Sequence, residues 1–131
     1  MTVYVNTSAL FALLVGDDRM HERARQGFDR LAAANARLVT SSFVLVETLA
    51  LLQRRVGMEA VVDFQLRIQP LLDVVWVDQD WYDRALTRCI AQSRKEMSLV
   101  DHLGFEIMEA KGLTAAFAFD RHFEQAGFTL V

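Results

Sequence analysis

The sequence predicts an α/β domain built on a mainly parallel β-sheet. Short runs of β-branched and aromatic residues alternate along the chain with longer segments whose apolar residues recur at helical spacing. Connections of helical length return each strand to the same edge of a sheet, which favours parallel pairing. The chain has 131 residues, of which 53% are hydrophobic and 24% charged. That is long enough to bury a sizeable core, so we expect residues 1–131 to form a single domain.

The first half of the chain predicts two strands and three helices. A strand is expected at 3–5, where VYV is β-branched and aromatic, and it runs almost directly into a helix at 9–14. A second helix is expected at about 20–34, and a short strand at 38–40. The segment 40–53, which begins with two capping serines, is apolar nearly all round and is therefore expected to be a helix buried on most sides.

The second half continues the alternation. A helix is expected from Met58 to about residue 69, where Pro70 stops it. The run DVVWV at 73–77 is almost continuously apolar, which is typical of a strand in the middle of a parallel sheet. The remaining elements are expected in the order helix 79–93, helix 98–112 with a capping box at its start, strand 113–119, a short helix to about 126 and an edge strand at 129–131.

Composition narrows the classes of function. The net charge is −3 and the isoelectric point about 5.5, which argues against a protein that coats DNA but not against an enzyme with a local basic rim. Twelve arginines against two lysines suit recognition of phosphate or carboxylate groups. The one cysteine, Cys89, excludes an internal disulfide and is interpreted as a small core residue. No segment is apolar enough to cross a bilayer and the N-terminus lacks the features of a signal peptide, so a cytoplasmic protein is expected.

Four polar side chains stand out against their apolar surroundings. Asn6 follows the first strand and Asp120 the fourth, while Asp101 lies in the first turn of a helix. Each of these three also has a structural interpretation as a turn or helix-cap residue, which the sequence leaves open. Glu47 differs, because it is the only charged residue of segment 40–53 and has no cation three or four residues away. A buried carboxylate needs a metal ion, a cation or a proton; the structural alternative is a salt bridge to an arginine of another element.

These four side chains are expected to meet, because crossovers bring strand ends and helix starts to one edge of a parallel sheet. Such a pocket offers only oxygen ligands, which select Mg²⁺ or Mn²⁺ over zinc. The chemistry suited to it is metal-assisted attack of water on a phosphodiester. The three histidines, His21, His102 and His122, are expected at the surface, with His102 as a possible lining residue beside Asp101.

In the order of its motifs the chain resembles the PIN-domain ribonucleases, and most of all the VapC-type toxins of bacterial toxin–antitoxin pairs. The motifs are N-T-S after the first strand, a lone glutamate in the third helix, S-x-x-D at a helix start and D-R-H-F after a strand. Together they extend over essentially the whole chain. The resemblance implies a PIN-like, three-layer α/β/α fold with a mainly parallel sheet of about five strands.

The resemblance also implies an activity and its residues. Glu47, Asp101 and Asp120 would be metal-binding acids, with Ser8 and Ser98 as supporting hydroxyls. The protein would be a Mg²⁺- or Mn²⁺-dependent endoribonuclease acting on RNA. Its partners would be a cognate antitoxin that covers the site and a second copy of the chain in a homodimer.

One departure from the family concerns Asn6, where the family has an aspartate. A carboxamide keeps an oxygen but loses a charge, so weaker metal binding and little or no turnover are expected. Either this is an inactivated form of a harmful toxin or a natural protein has lost its activity. Retention of the other three acids favours the first explanation. A lesser departure is Ala118, where a hydroxyl residue is common in the family.

Three other functions are weighed against this one. The main alternative is a PIN-fold protein that binds RNA or a protein partner without cutting. A haloacid-dehalogenase-type phosphatase would need acids at the positions of Asn6 and Ser8, and is disfavoured. A purely structural domain would make all four polar residues caps, which Glu47 contradicts because it does not lie at a helix end.

Overall fold

A computed structural model describes residues 1–131, and its framework is a five-stranded parallel sheet. The strands are β1 (Thr2–Val5), β2 (Arg37–Ser41), β3 (Leu72–Val75), β4 (Ala115–Phe117) and β5 (Thr129–Leu130), in the order β3-β2-β1-β4-β5. The helices are α1 (Thr7–Leu14), α2 (His21–Ala33), α3 (Ser42–Arg55), α4 (Met58–Asp63), α5 (Gln79–Gln92), α6 (Leu99–Lys111) and α7 (His122–Gln125). The expected three-layer α/β/α architecture with about five parallel strands is confirmed.

The central strand β1 determines which side chains meet at the carboxyl edge of the sheet. Tyr4 lies opposite Val39 of β2 on one side, and Val5 lies opposite Phe117 of β4 on the other. The hydroxyl of Thr40 donates to the carbonyl of Val5 at 2.7 Å. Because every strand points the same way, β1, β2 and β4 end side by side, and the residues that follow them share one edge.

Alternate residues of β1 enter two different cores. Val3 and Val5 pack with α1, α2 and α3 on one face of the sheet. Tyr4 packs with α5, α6 and α7 on the other, where its ring stacks on Phe123 with ring centroids 5.7 Å apart. Val3, Tyr4 and Val5 are each at most 1% exposed, so this part of the strand is fixed from both sides. No helix of the protein is long and apolar enough to cross a membrane.

Two predictions about exposure were wrong. Strand β3 is at an edge of the sheet rather than in its middle, and Trp76, directly after it, is 67% exposed. Helix α3 is not buried on most sides, since Val46 is 67% exposed and Glu47 is half-buried. In both cases the sequence is more apolar than its burial requires, which leaves apolar groups at the surface.

The helix expected over 58–69 is also irregular. Helix α4 ends at Asp63 and passes into a π-helical turn, Phe64–Ile68, and then a 3₁₀ turn, Gln69–Leu71. The π-helical turn places Phe64 fully in the core while neighbouring Leu66 is 68% exposed. Pro70 lies within the 3₁₀ turn, where its missing N–H is tolerated.

Candidate metal centre

The side chain of Asn6 lies at the centre of the site. It occupies the cap position of α1, but its side chain makes no capping hydrogen bond. Instead the buried amide Nδ2 lies 3.4 Å from Oδ1 of Asp101 and 3.4 Å from Oδ2 of Asp120. The interpretation of its side chain as a simple cap is therefore wrong, and residues 95 and 114 positions away along the chain meet at this amide.

Asp101 serves both a helix and the cluster. Its Oδ2 accepts the backbone N–H of Ser98 at 3.1 Å, while Ser98 Oγ accepts the backbone N–H of Asp101 at 3.1 Å. This completes the capping box that the S-x-x-D spacing predicts at the start of α6. The other oxygen, Oδ1, faces Asn6. The structural and functional interpretations of Asp101 are therefore compatible, and its hydrogen bonds with Ser98 fix the orientation of this carboxylate.

Asp120 is positioned by Ser8 and by the start of α7. Ser8 Oγ accepts the backbone N–H of Phe119 at 2.9 Å and donates to Oδ2 of Asp120 at 3.1 Å. The second oxygen of Asp120 accepts the backbone N–H of His122 at 3.1 Å. Although Arg121, rather than Asp120, occupies the cap position of α7, the Asp120 side chain still binds the first turn of that helix.

His122 belongs to the site, contrary to its expected surface position. Its Nδ1 lies 2.8 Å from Oδ2 of Asp101 and 3.5 Å from Oδ1 of Asp120. Since a carboxylate only accepts, Nδ1 carries the hydrogen that joins His122 to Asp101. A histidine two residues after a strand-terminal aspartate, at a helix start, is the sequence feature that could have identified it.

The structure places Glu47 apart from this contact group. It lies in the second turn of α3 and makes no hydrogen bond and no ion pair, so the alternative of a salt bridge to an arginine is not realised. It is nevertheless within electrostatic range of the buried Tyr4 hydroxyl. Burial raises the pKa of Tyr4, and the charges of Asp101 and Glu47 raise it further. Asn6, Asp101 and Asp120 thus meet as predicted, while Glu47, in α3, does not touch them.

The donor set fits a hard divalent cation. One ligand atom each from Asp101, Asp120 and His122 lie within 4.8 Å of one another. Oδ1 of Asn6 is buried and accepts no hydrogen bond, which leaves a carboxamide oxygen free beside the two carboxylates. Carboxylate and amide oxygens are the ligands that Mg²⁺-like ions prefer, and no cysteine lies nearby to favour a softer metal. The cluster can therefore hold a metal ion.

The other two histidines have separate positions. His102 is 0% exposed, so its expected surface location was wrong; burial lowers its pKa, and the charge of Arg88 lowers it further. The Nδ1 of His21 contacts the carbonyl oxygen of Ala12 at 2.8 Å, joining α2 to α1. Arg23 of α2 is exposed, and its guanidinium lies 5.9 Å from the centre of the ring of Phe119, the neighbour of Asp120.

Comparisons with known proteins agree with this geometry. Residues 3–129 match the family described as PIN domain. Similar proteins include the 23S rRNA-specific endonuclease VapC20 of Mycobacterium tuberculosis, in strains CDC 1551 / Oshkosh and ATCC 25618 / H37Rv. Each is 36% identical over 131 residues, which cover 98% of this chain and 97% of the relative.

Solved structures of this family have the same fold as this chain. The crystal structure of M. tuberculosis VapC20, described as a sarcin–ricin loop cleaving toxin, superposes with a TM-score of 0.85 at 35% identity, covering 97% of this chain and 96% of that one. VapBC2 of Rickettsia felis, bound to a DNA fragment from its promoter, gives a TM-score of 0.71. That match covers 100% of this chain and 98% of the other, but at 13% identity it shows only a common fold. By sequence and by structure, this chain belongs to the PIN-domain family and is a homologue of the VapC endonucleases.

Proposed function

We propose that this chain is a VapC-type toxin, a metal-dependent endoribonuclease that hydrolyses RNA phosphodiester bonds. The observation that carries the proposal is the meeting of Asn6, Asp101 and Asp120 at the carboxyl edge of the sheet, in a chain 36% identical to an RNA endonuclease. The substrate we propose is 23S rRNA at the sarcin–ricin loop, because the relative's name and the description of its structure specify that target. The whole chain, residues 1–131, would act as one unit.

The ion we propose is Mg²⁺ or Mn²⁺. Asp101 and Asp120 would hold it, together with Oδ1 of Asn6, and Glu47 would complete the site from α3 after a side-chain rotation. When bound, such an ion supplies Lewis-acid polarisation of a phosphoryl oxygen and makes a water molecule more acidic. Ser8 and Ser98 keep the two aspartates in place through the hydrogen bonds described above.

His122 has a positioning role in this proposal. Its Nδ1–H joins Asp101 and its backbone N–H joins Asp120, so one residue sets the spacing of both carboxylates. The side chain is 27% exposed, which keeps it accessible to a substrate phosphate as well. Hydrogen bonds between ionised carboxylates and N–H donors are among the stronger ones in proteins, which suits a group that must hold two like charges together.

Asn6 is proposed to weaken this site. The family's aspartate would contribute a third negative charge, whereas the carboxamide contributes a neutral oxygen and two N–H donors. We infer lower metal affinity and slower turnover than in an Asn6→Asp variant. Because Glu47, Asp101 and Asp120 all remain, an inactivated form of an active toxin is the explanation that we favour over natural loss of activity.

Cleavage assays test the proposal. The protein with Asn6, here called the wild type, and Asn6→Asp are incubated with an RNA hairpin carrying the sarcin–ricin loop, in Mg²⁺, in Mn²⁺ and in chelator. We expect metal-dependent cleavage by Asn6→Asp at rates far above those of the wild type. The control is the double variant Asn6→Asp/Asp120→Asn, which should be inactive. Absence of cleavage by Asn6→Asp in either metal, on this hairpin and on whole ribosomes, would contradict the proposal.

The second candidate is a PIN-fold protein that binds RNA or a protein partner without cutting. The position of the Asn6 amide favours it, because Nδ2 faces both aspartates and partly replaces the cation that they would otherwise need. Under this alternative, Asn6→Asp binds RNA as the wild type does and gains no cleavage. The same assay, read together with an RNA-binding measurement, therefore separates the two functions.

The partners we propose are a cognate antitoxin and a second copy of the chain, acting in the cytoplasm where ribosomal RNA is found. Support comes from exposed apolar side chains near α4, since Val56, Met58, Val62 and Leu66 are each 48–68% exposed. Surfaces of this kind are typical of interaction sites. Co-expression with a small DNA-binding protein encoded by a neighbouring gene, followed by size-exclusion chromatography with light scattering, tests both. A monomer that captures no such protein would contradict this part of the proposal.

A further inference from the structure

A cavity lies among α5, α6 and α7, next to the metal centre but separate from it. Its volume is about 190 Å³, and the polar residues that line it are Arg88, Gln92, Arg94, His102 and Gln125. None of its lining residues is acidic. A water molecule occupies about 30 Å³ in the liquid, so the space exceeds what one or two ordered waters need.

Two of the lining residues carry buried polar atoms without partners. His102 is 0% exposed, and neither Nδ1 nor Nε2 makes a hydrogen bond. Nε of Arg88 is also buried and unpartnered, although Nη1 of the same guanidinium contacts Glu106 at 2.8 Å and Glu109 at 3.0 Å. Buried polar groups in native proteins are nearly always hydrogen-bonded, and a neutral imidazole carries one N–H. The wall of the cavity therefore contains two buried donors, one from His102 and one from Arg88, that no protein group satisfies.

The cavity and the metal centre share two structural elements. His102 directly follows Asp101 in the first turn of α6, and Gln125 ends α7, the helix that begins at His122. Arg94, in the segment before α6, pairs with Glu96 at 2.8 Å, and Glu96 in turn is within electrostatic range of His122. A polynucleotide held at the metal centre would therefore pass close to this cavity.

We propose that this cavity is an anion subsite that binds a backbone phosphate of the RNA close to the phosphate that is cut. The inference rests on the proposed nuclease function and extends it by a substrate-positioning site. Arg94 and Arg88 supply charged N–H donors, which bind phosphate oxygens bidentately. Gln92, Gln125 and the N–H of His102 add neutral donors. When the phosphate binds, Arg94 gives up its ion pair with Glu96 and pairs with the phosphate instead. The Arg94 side chain is 42% exposed, so it can make this change without unfolding of the protein.

The first test is RNA binding in chelator, where no cleavage occurs. Fluorescence anisotropy with the sarcin–ricin hairpin is measured for wild type and Arg94→Gln over a range of KCl concentrations. Loss of one phosphate contact lowers the slope of log K against log salt by about 0.7 for a single strand. The matched control is Arg67→Gln, because Arg67 pairs with Asp63 at 3.0 Å as Arg94 does with Glu96, but in the irregular helix after α4. It removes the same charge and should leave the slope unchanged.

The second test does not depend on RNA. Inorganic phosphate is titrated into the wild type and into Arg94→Gln, and amide signals are followed in ¹H–¹⁵N spectra. We expect shifts at Met97 and at the side-chain amides of Gln92 and Gln125 that disappear in Arg94→Gln.

The two tests together separate the subsite from the nuclease function. If RNA binds and Arg94→Gln keeps the wild-type salt slope, the subsite is wrong while the nuclease function can stand. If no RNA binds in chelator, the phosphate titration decides the subsite, and cleavage by Asn6→Asp in Mg²⁺ or Mn²⁺ decides the nuclease function separately. Shifts confined to the cavity then support an anion site, and their absence overturns it in favour of a cavity filled with water.

Discussion

The side-chain amide of Asn6 lies 3.4 Å from Oδ2 of Asp120, although 114 residues separate the two along the chain. The same nitrogen is also 3.4 Å from Asp101, so one neutral group offers its two hydrogens to two carboxylates. Two acids in contact repel each other unless something positive lies between them. In this chain the N–H groups of the Asn6 amide, which carry partial positive charge, lie between the two carboxylates. The metal-free site is therefore more stable than it would be with an aspartate at position 6.

Asn6→Asp should therefore destabilise the metal-free protein. The change removes both N–H donors and adds a buried carboxylate beside Asp101 and Asp120, and we expect a loss of about 1–3 kcal/mol in the free energy of unfolding in chelator. Addition of Mn²⁺ or Mg²⁺ should recover the loss, because binding to the folded state alone stabilises it. Urea unfolding with and without metal measures both effects.

The control for that variant is Asn35→Asp, because Asn35 is the only other asparagine and is exposed. It should change stability by less than about 0.5 kcal/mol, and equally with and without metal. Equal unfolding midpoints for Asn6→Asp in chelator and in metal would contradict the assignment of this cluster as a metal site.

Glu47 is predicted to affect metal binding but not the stability of the metal-free protein. Because Glu47 has no hydrogen-bond or ion-pair partner, Glu47→Gln should leave the stability in chelator within about 0.5 kcal/mol of the wild type. In the Asn6→Asp background the same substitution should reduce the stabilisation that metal provides. Calorimetric titration with Mn²⁺ measures this, with the exposed Glu59→Gln as control. Unchanged metal affinity would show that Glu47 is not a ligand.

Gly104 tests how tightly α6 must pack for the site to form. A Cβ at this position would lie 2.9 Å from Cζ of Phe123 and 2.9 Å from Cε1 of Tyr4. Overpacking of this kind costs about 1–3 kcal/mol, while the better helix propensity of alanine returns up to about 1 kcal/mol. We expect Gly104→Ala to lose about 1–2 kcal/mol in thermal or urea unfolding.

The same substitution should also weaken metal binding by the Asn6→Asp variant, since Phe123 follows His122 in α7. Gly16→Ala is the matched control, because nothing lies within 4 Å of its added methyl group. If the two alanine variants are equally stable, the close approach of α6 to Tyr4 is not a constraint.

Tyr4 predicts a dependence on alkaline pH. Its hydroxyl is fully buried without a hydrogen-bond partner, and burial raises its pKa above the ordinary value of about 10. Above that value the unfolded chain loses the tyrosine proton while the folded chain keeps it. The folded state then binds more protons, so stability falls as the pH rises, by about 1.4 kcal/mol per unit for one group.

Tyr4→Phe should remove this contribution, and near pH 7 it should cost little, because no hydrogen bond is lost. Urea midpoints at pH 8 and pH 10.5 give the comparison, with Tyr82→Phe, 41% exposed, as control. A Tyr4→Phe variant with the same alkaline loss as the wild type would refute the prediction.

Much of the site follows from sequence order. A polar residue within a few positions of the end of a buried strand has to lie near the carboxyl edge of a parallel sheet, which brings Asn6 and Asp120 to the same edge. The S-x-x-D spacing likewise predicts the capping box of Ser98 and Asp101. In these cases the local sequence pattern predicts the tertiary position, because the end of a strand or the start of a helix fixes where the Cα and Cβ atoms of these residues lie.

The predictions that were wrong concern features that the local sequence does not determine. An apolar run indicates a strand but not its place in the sheet, so β3 was assigned to the middle although it lies at an edge. The rotation of α3 leaves Val46 exposed and directs Glu47 away from contact, and no local pattern records that rotation. His122 was missed because its role depends on α7 packing beside Asp101, a contact between residues 21 positions apart.

The reciprocal hydrogen bonds of Ser98 and Asp101 affect how toxicity experiments in cells should be designed. A variant that lacks the Asp101 carboxylate loses the capping box at the start of α6 as well as a candidate ligand, so a harmless phenotype would not separate lower stability from lost chemistry. Under the proposed function, Glu47→Gln in the Asn6→Asp background is the cleaner inactive control for growth assays, because Glu47 makes no hydrogen bond or ion pair that stabilises the fold. In a screen for variants of Asn6→Asp that no longer slow growth, substitutions at position 47 would therefore test the proposed chemistry more directly than substitutions at position 101.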